Sequence, residues 1–221
     1  MMAFRRAVLP VALASVIAGG SACQSASSPV SPGAQANRVV VAFGDSLTAG
    51  YGIDPSRAFP AVLEGYLRRE RLPFTMVNAG VSGDTTASAL SRLSGVLARR
   101  PAIVIVALGA NDGLRGVPVA TMRQNLSRVI RDVQGSGARV ILCGMEALPL
   151  YGWTYTLDFH NAFVELAREL DVPLVPFFMA SIVGHENLLL GDRVHPNAEG
   201  ARVIADAVWP YLSTVARAVA T

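Results

Sequence analysis

Apolar runs of strand length alternate along this chain with longer segments whose apolar residues follow a helical spacing. The runs lie at 38–43, 74–78, 103–108, 140–143 and 174–177, and the helical segments lie at 59–70, 85–100, 119–134, 157–170 and 197–215. Continuously apolar strands are typical of a parallel sheet that is covered on both faces. The alternation therefore predicts an α/β fold of three layers, in which helices flank a five-stranded parallel sheet.

The chain before this pattern has a different composition. Arg5 and Arg6 precede an apolar run at 7–20 that is too short to span a bilayer comfortably, as in a secretory signal. Small residues then lead to Cys23 and resemble the lipobox of bacterial lipoproteins, in which the cysteine is acylated. Residues 1–22 are thus expected to be a signal peptide, with acylation of Cys23 favoured over ordinary cleavage after Ala22.

Residues 23–37 consist largely of Ser, Pro, Ala, Gly and Gln without periodicity, which predicts a flexible tether. The folded domain is expected at 38–221, and a chain of 221 residues that is 52% hydrophobic can form one domain with a sizeable core. We expect an exported monomer. It is either periplasmic, or an outer-membrane lipoprotein that faces the periplasm and associates with the membrane through an acylated Cys23, or otherwise secreted.

Charge and residue usage exclude several functional classes. The formal net charge of +3 falls close to zero once Arg5 and Arg6 are set aside, which gives no case for a nucleic-acid partner. All 19 basic residues are arginines, so a P-loop lysine, a Schiff-base lysine and a lysine general base are excluded. The cysteines and histidines lack metal-ligand spacing, so we expect no metal and no cofactor. Cys143, inside an apolar run, is predicted to be a buried small hydrophobe.

Glycines stand beside hydrogen-bonding residues in the segments that follow the first three predicted strands, at 44–46, 82–85 and 109–112. Because the carboxyl ends of parallel strands meet at one edge of a sheet, these segments can converge on one crevice. The backbone N–H groups of Ser46 and Gly83 can then form an oxyanion hole with the side-chain amide of Asn111.

A purely structural interpretation of the same loops is also open. Ser46 suits a helix N-cap as well as it suits a nucleophile. For Asp84 and Asp112, N-capping of the next helix is the favoured interpretation.

A segment near the end of the chain favours the catalytic interpretation of Ser46. Asp192 and His195 are three residues apart, so the carboxylate can turn back to the imidazole, and such a pair supplies the base that a serine hydroxyl needs. Pro196 fits the opening position of the last helix. His160 and His185 lack this context and are expected to be surface or structural residues.

These motifs resemble the SGNH hydrolases, also called GDSL esterases or lipases. The matching residues, in the family's order, are Gly44-Asp45-Ser46-Leu47, then Gly83, then Gly109-Ala110-Asn111-Asp112, and finally Asp192 and His195. The match covers the chain from about Val39 onwards. Segments 107–116 and 172–179 look like the bacterial branch that combines thioesterase I, arylesterase and lysophospholipase activities.

The resemblance implies a role for each of these residues. Ser46 would be the nucleophile, His195 the general base and acid, and Asp192 the carboxylate that orients the histidine. Gly83 and Asn111 would complete the oxyanion hole with the backbone N–H of the serine. The fold that the resemblance implies is a flavodoxin-like α/β/α sandwich.

The loop after the fourth predicted strand is unusually apolar and aromatic. Leu148, Leu150, Tyr151 and Trp153 are hypothesised to form one wall of an acyl-chain groove, which would favour short to medium acyl esters and thioesters. The alternative is a hydrophobic flap that packs on the core.

The leading hypothesis for function is a serine hydrolase that cleaves carboxylic esters or thioesters through an acyl-enzyme on Ser46. Its substrates, as the resemblance implies, are small-molecule or lipid esters: aryl esters, acyl-CoA and lysophospholipids. A carbohydrate or cell-wall O-acetylesterase would use the same triad. The non-enzymatic alternatives are a flavodoxin-like phosphate-binding module, whose motifs the chain lacks, and an inactive lipid-anchored homologue, against which the intact site residues argue.

Overall fold

The sheet at the centre of the molecule is built from the five apolar runs. A computed structural model describes residues 38–221, and in it five parallel strands take the order β2-β1-β3-β4-β5. The strands are β1 (Arg38–Gly44), β2 (Phe74–Gly80), β3 (Ile103–Ala107), β4 (Arg139–Cys143) and β5 (Leu174–Val175). The predicted five-stranded parallel α/β sandwich is confirmed. The predicted signal peptide, Cys23 and the tether lie outside the described residues.

Helices cover both faces of this sheet. They are α1 (Ser46–Ala49), α2 (Phe59–Arg69), α3 (Thr86–Ser91), α4 (Leu93–Leu97), α5 (Ala110–Leu114), α6 (Val119–Gly135), α7 (Trp153–Glu169) and α8 (Ala198–Ala220), with single 3₁₀ turns at Pro55–Arg57, Pro149–Tyr151 and Glu186–Leu188. Helix α2 packs against α8, while α6 packs against α3 and α7. None of the helices within 38–221 is both long enough and apolar enough to cross a bilayer.

Burial explains why the strands are continuously apolar. Every residue of β3 is buried, and so are the last five residues of β1, because helices lie on both sides of each strand. Cys143, at the end of β4, is fully buried, as predicted, and this burial raises the pKa of its thiol.

The register aligns the ends of β1, β2 and β3. Gly44, the last residue of β1, pairs with Gly80 at the end of β2 and with Ala107 at the end of β3. The loops that follow these strands therefore leave the sheet at one level and along one edge.

Several boundaries differ from the predictions for local physical reasons. The predicted helix at 85–100 divides into α3 and α4 at Arg92, whose side chain turns inward. Strand β5 stops before Pro176, which has no N–H to donate to the neighbouring strand. Pro196 does not open the last helix: Asn197 is its N-cap, and Pro196 pairs with Leu189 in an isolated β-bridge. Helix α7 begins at Trp153, four residues earlier than predicted.

Two glycines allow α1 to lie directly against the strand ends. A Cβ on Gly80 would stand 2.2 Å from the backbone nitrogen of Ala49, and a Cβ on Gly44 would stand 2.0 Å from Oγ1 of Thr48. Asn78 in β2 adds a side-chain N–H bond of 2.8 Å to the carbonyl of Thr48. This close approach fixes the position of the short helix, which was too short to predict from periodicity.

Replacing Gly80 tests this packing. The Gly80→Ala variant should lose about 1–3 kcal/mol of unfolding free energy, because the new methyl group meets backbone atoms that cannot move independently. Gly65→Ala is the matched control. A Cβ there meets no atom within 4 Å, so this change inside α2 should stabilise the protein by about 0.5–1 kcal/mol. Urea unfolding measures both, and equal effects would contradict the role given to Gly80.

Candidate active site

The three loops after β1, β2 and β3 meet at the carboxyl edge of the sheet. Ser46 is the first residue of α1, Gly83 lies in the loop after β2, and Asn111 lies in α5 after β3. Two contacts connect these loops: Asn111 donates from Nδ2 to Oδ2 of Asp45 over 3.3 Å, and Arg115 donates to the carbonyl oxygen of Gly83 over 3.0 Å. The convergence that the sequence predicted is present.

Ser46 is not the N-cap of its helix. Asp45 takes that place, with Oδ1 accepting the backbone N–H of Leu47 over 3.0 Å. The interpretation of Ser46 as the cap is therefore wrong by one residue, and its hydroxyl is free of capping. Instead, Oγ of Ser46 lies 2.9 Å from Nε2 of His195.

Asp192 holds the other side of the His195 ring. Its Oδ2 lies 2.7 Å from Nδ1 of His195, while Oδ1 accepts the backbone N–H groups of Val194 and His195 over 2.9 and 3.0 Å. The backbone bonds from His195 and Val194, followed by the imidazole bond, lower the pKa of Asp192 to about 2. The carboxylate is thus ionised at neutral pH and favours a proton on Nδ1, which leaves Nε2 to accept a proton from the serine.

The loop that carries this pair is closed by its own backbone. Leu190 donates to the carbonyl of His195 over 2.8 Å, and Arg193 donates to the carbonyl of Leu190 over 2.9 Å. Arg193 has a φ of +59°, a left-handed conformation that costs a non-glycine residue roughly 1 kcal/mol or more. That turn brings the carboxylate back to the ring, as the spacing of Asp192 and His195 predicted, but the left-handed conformation of Arg193 was not predicted.

Tyr51 is a site residue that sequence reasoning missed. Its ring centroid lies 4.5 Å from that of His195, with a tilt of 40° between the planes. About half of Tyr51 stays exposed, so the ring contacts the imidazole at the protein surface. The only signal in the sequence was an aromatic residue soon after the serine in the same loop.

Gly83 stands where a side chain would be strained. Its φ is +85°, in the left-handed region that glycine adopts readily, and the residue is exposed. Asn111 is half-buried at the start of α5. Asn111 contacts Asp45, the neighbour of Ser46, and the carbonyl of Gly83 contacts Arg115, which follows α5. The oxyanion-hole roles of Gly83 and Asn111 remain predictions.

Arg92 connects the ends of two strands with the loop after β2. Its guanidinium donates to the carbonyl oxygens of Ala79 and Gly44 over 2.8 and 2.9 Å, pairs with Asp84 over 2.6 Å, and lies 4.5 Å from the centre of the Phe43 ring. One cation thus joins the ends of β1 and β2 to the loop that contains the glycine donor.

The predicted N-caps at Asp84 and Asp112 are wrong. Thr85 is the N-cap of α3, and Asp84 pairs with Arg92 instead. Asp112 lies inside α5 and accepts the N–H and the hydroxyl of Thr86 over 2.8 and 2.6 Å, so it serves the start of a helix from another loop. Burial raises the pKa of Asp112, against the effect of these donors.

Asp45 is a fully buried carboxyl group beside the nucleophile. Burial raises its pKa to about 6, although the bonds from Leu47 and Asn111 and the charge of His195 act in the opposite direction. Asp45 was not singled out from the sequence, because its capping role depends on where α1 begins.

The two remaining histidines lie outside the site, as expected. His160 on α7 is partly exposed and pairs with Glu146 over 2.6 Å, and His185 is exposed. Within residues 38–221, no three His, Cys, Asp or Glu side chains form a group that could hold a metal ion. The expectation of a metal-free site stays a prediction.

The aromatic loop does not pack on the core. Leu148, Leu150 and Trp153 are 60%, 66% and 72% exposed, so the alternative of a buried flap is wrong. Tyr151 anchors the loop by donating its hydroxyl to the carbonyl of Leu114 over 3.1 Å, at the end of the helix that begins beside Asn111. The loop is thus an exposed apolar surface that contacts the end of α5.

Comparisons with known proteins agree with this geometry. The GDSL-like Lipase/Acylhydrolase family model matches residues 42–203. Esterase TesA from Pseudomonas aeruginosa is 36% identical over 80% of this chain and 89% of its own length. The thioesterase 1/protease 1/lysophospholipase L1 of Escherichia coli is 37% identical over 78% and 82%. The arylesterase of Vibrio mimicus is 35% identical over 81% and 90%.

Solved structures show the same fold. The crystal structure of TesA superposes with a TM-score of 0.77 at 35% identity and covers 80% of this chain and 99% of that one. Esterase EstA from Pseudoalteromonas sp. has a TM-score of 0.76 at 31% identity over 80% and 97%. The chain belongs to the GDSL-like lipase and acylhydrolase family, which confirms the resemblance found in the sequence. It is an enzyme of that family that hydrolyses ester bonds in small substrates.

The burial of Asp45 predicts a pH-dependent stability. Its pKa rises from 3.8 to about 6 on folding, so its contribution to stability is present below about pH 4 and is lost as the pH rises through 6. Asp45→Asn keeps a capping oxygen and cannot ionise, so it should remove this loss, on the order of 3 kcal/mol. Urea unfolding should therefore show the variant gaining stability relative to wild type between pH 4 and pH 7.5.

Asp54→Asn is the matched control for this measurement. Asp54 caps the 3₁₀ turn at Pro55–Arg57, and hydrogen bonds from Ser56 lower its pKa. Its contribution to stability is present above the unfolded pKa and is lost as the pH falls, so this variant should show the opposite trend. A stability difference for Asp45→Asn that does not change with pH would contradict the buried ionisable group.

Proposed function

We propose that this enzyme is a serine esterase and thioesterase that forms an acyl-enzyme on Ser46. The observation that supports this most directly is the linear chain of contacts from Oγ of Ser46 to Nε2 of His195, over 2.9 Å, and from Nδ1 of His195 to Asp192, over 2.7 Å. A serine hydroxyl is a weak nucleophile at neutral pH, and such an arrangement supplies the base and its orienting carboxylate.

In the proposed acylation step, His195 takes the hydroxyl proton through Nε2 while Oγ of Ser46 attacks the acyl carbonyl carbon. The carbonyl oxygen becomes an oxyanion, which the N–H groups of Ser46 and Gly83 and the amide of Asn111 stabilise. Collapse of the intermediate breaks the bond to the alcohol or thiol, and His195 returns the proton to that leaving group.

Deacylation repeats the same proton path with water. His195 removes a proton from water, whose oxygen attacks the acyl-enzyme, and then returns the proton to Oγ of Ser46 as the acid product leaves. Asp192 stays ionised throughout and stabilises the imidazolium that forms in both steps. The Tyr51 ring packs against the imidazole, with the two ring centroids 4.5 Å apart.

The exposed apolar loop supports a proposal for the acyl chain. Leu148, Leu150, Tyr151 and Trp153 would line one wall of the groove that receives short to medium acyl groups. Tyr151 connects this wall to the α5 region that also carries Asn111. Relatives named arylesterase and thioesterase/lysophospholipase agree with aryl esters, acyl-CoA and lysophospholipids as the classes to test.

The compartment is also proposed from sequence. The charged start, the apolar run at 7–20 and the small residues before Cys23 support export, with an acylated cysteine as the membrane attachment. The catalytic domain would act as a monomer at the end of the tether at 23–37.

Removing the Ser46 hydroxyl tests the mechanism. Ser46→Ala should lower hydrolysis of p-nitrophenyl butyrate by at least about 10³-fold and abolish covalent labelling by a fluorophosphonate, because no other group would form the acyl-enzyme. Ser94→Ala, an exposed serine on α4, should behave like wild type. Retention of most activity in folded Ser46→Ala would exclude the mechanism.

Truncating the apolar wall tests chain-length selection. Trp153→Ala with Leu150→Ala should lower kcat/KM for an octanoyl ester by about tenfold, because the longer chain loses apolar contact, and should leave an acetyl ester nearly unchanged. Val164→Ala, an exposed apolar residue elsewhere on α7, is the matched control. Equal effects on both esters would exclude the groove wall.

A further inference from the structure

We propose that Asp45 is a positioning residue for the oxyanion hole. Its buried carboxylate holds the side-chain amide of Asn111 so that one N–H of that amide faces the substrate oxygen. The inference rests on the proposed function, because it deepens the account of the same site.

The carboxylate divides its two oxygens between two tasks. Oδ1 accepts the backbone N–H of Leu47 over 3.0 Å and caps α1, whereas Oδ2 accepts Nδ2 of Asn111 over 3.3 Å. Asp45 is fully buried, and in the described part of the chain it forms no ion pair with an arginine or histidine. Serine, threonine or asparagine would cap the helix without the penalty of burying a charge, so capping alone does not account for an aspartate.

The chemistry of the two side chains selects one orientation of the amide. A carboxylate only accepts hydrogen bonds, whereas the Asn111 amide has an accepting oxygen and two N–H donors. If the amide turned over, its oxygen would face the carboxylate and the two acceptors would repel. Asp45 therefore holds Nδ2 towards itself, and the second N–H on Nδ2 remains for a ligand in the crevice.

This contact also joins the two halves of the site. Asp45 directly precedes Ser46, and Asn111 lies on α5 after a different strand. The side chain next to the nucleophile thereby sets the distance between the attacking oxygen and a donor for the oxyanion. A negative charge near a developing oxyanion is unfavourable by itself, so a purely electrostatic effect of Asp45 would have the opposite sign.

Two substitutions separate positioning from capping. Asp45→Ser keeps a capping oxygen but has no atom that reaches Asn111. Asp45→Asn keeps the cap and presents an N–H₂ group to the amide, which favours the turned-over orientation. Both should lower kcat for p-nitrophenyl butyrate by about 10–100-fold with KM changed less than about twofold, since the lost donor acts mainly on the oxyanion. Asp54→Asn, the same change at a cap outside the site, should keep wild-type kinetics.

A double-mutant cycle tests whether Asp45 acts through Asn111. If it does, Asp45→Ser combined with Asn111→Ala should have a kcat within about threefold of Asn111→Ala alone, because the amide to be positioned is already absent. If the loss of kcat in the double variant equals the product of the losses in the two single variants, the proposal is overturned. A wild-type kcat in Asp45→Ser would also overturn it, as would an Asp45→Asn variant that is faster than wild type, the result that a charge effect alone predicts.

Failure of the proposed function would look different. In that case wild-type protein would not be labelled at Ser46 by the fluorophosphonate and Ser46→Ala would keep its activity, whatever the Asp45 variants do. If Asp45→Ser unfolds at the assay temperature, as circular dichroism would show, the cycle is carried out with Asp45→Asn. A kcat of the double variant within about threefold of Asn111→Ala alone then supports the proposal, and a multiplied loss overturns it.

Discussion

The site depends on the common level at which β1, β2 and β3 end. Gly44 pairs with Gly80 on one side and with Ala107 on the other, so three loops start from one line of backbone. A register shift by one residue in any of these strands would move its loop by about 3.3 Å and exchange the faces of its side chains. Hydrogen bonds to the substrate oxygen tolerate only displacements that are far smaller than this. The apolar contacts that hold the sheet in register therefore also determine the geometry at its edge.

Charged side chains then hold the loops in place relative to these strand ends. Arg92 reaches the carbonyl oxygens at the ends of β1 and β2, and Arg115 reaches that of Gly83. Asp112 does the converse, since it accepts donors at the start of a helix from a neighbouring loop. Each of these residues is held by partners from other elements, so the site is surrounded by contacts that single loops could not form. Asp45 also contacts a residue of another element, Asn111, and of these charged residues it lies nearest to Ser46 in the sequence.

The sequence predicted the sheet and the convergence of the site loops because both follow from long apolar runs and from the rule that parallel strands end at one edge. It did not predict α1 or α5, which are shorter than the spacing needed to see a helical period. The partners of Asp84 and Asp112 were assigned wrongly, since local spacing favours capping and the actual donors lie on other segments. The tilted contact of the Tyr51 ring with the histidine depends on how two loops meet, which no local pattern encodes.

The backbone of the loop at 189–196 makes the aspartate–histidine pair a local structure. All of its closing bonds join residues a few positions apart, and Arg193 accepts a strained conformation to complete the turn. The bond from His195 to Ser46, in contrast, joins residues 149 positions apart. The reactive centre thus combines a locally closed base with a hydroxyl that is distant in the sequence. Because this one long-range bond connects the base to the nucleophile, its loss would separate the two without breaking a hydrogen bond of the sheet.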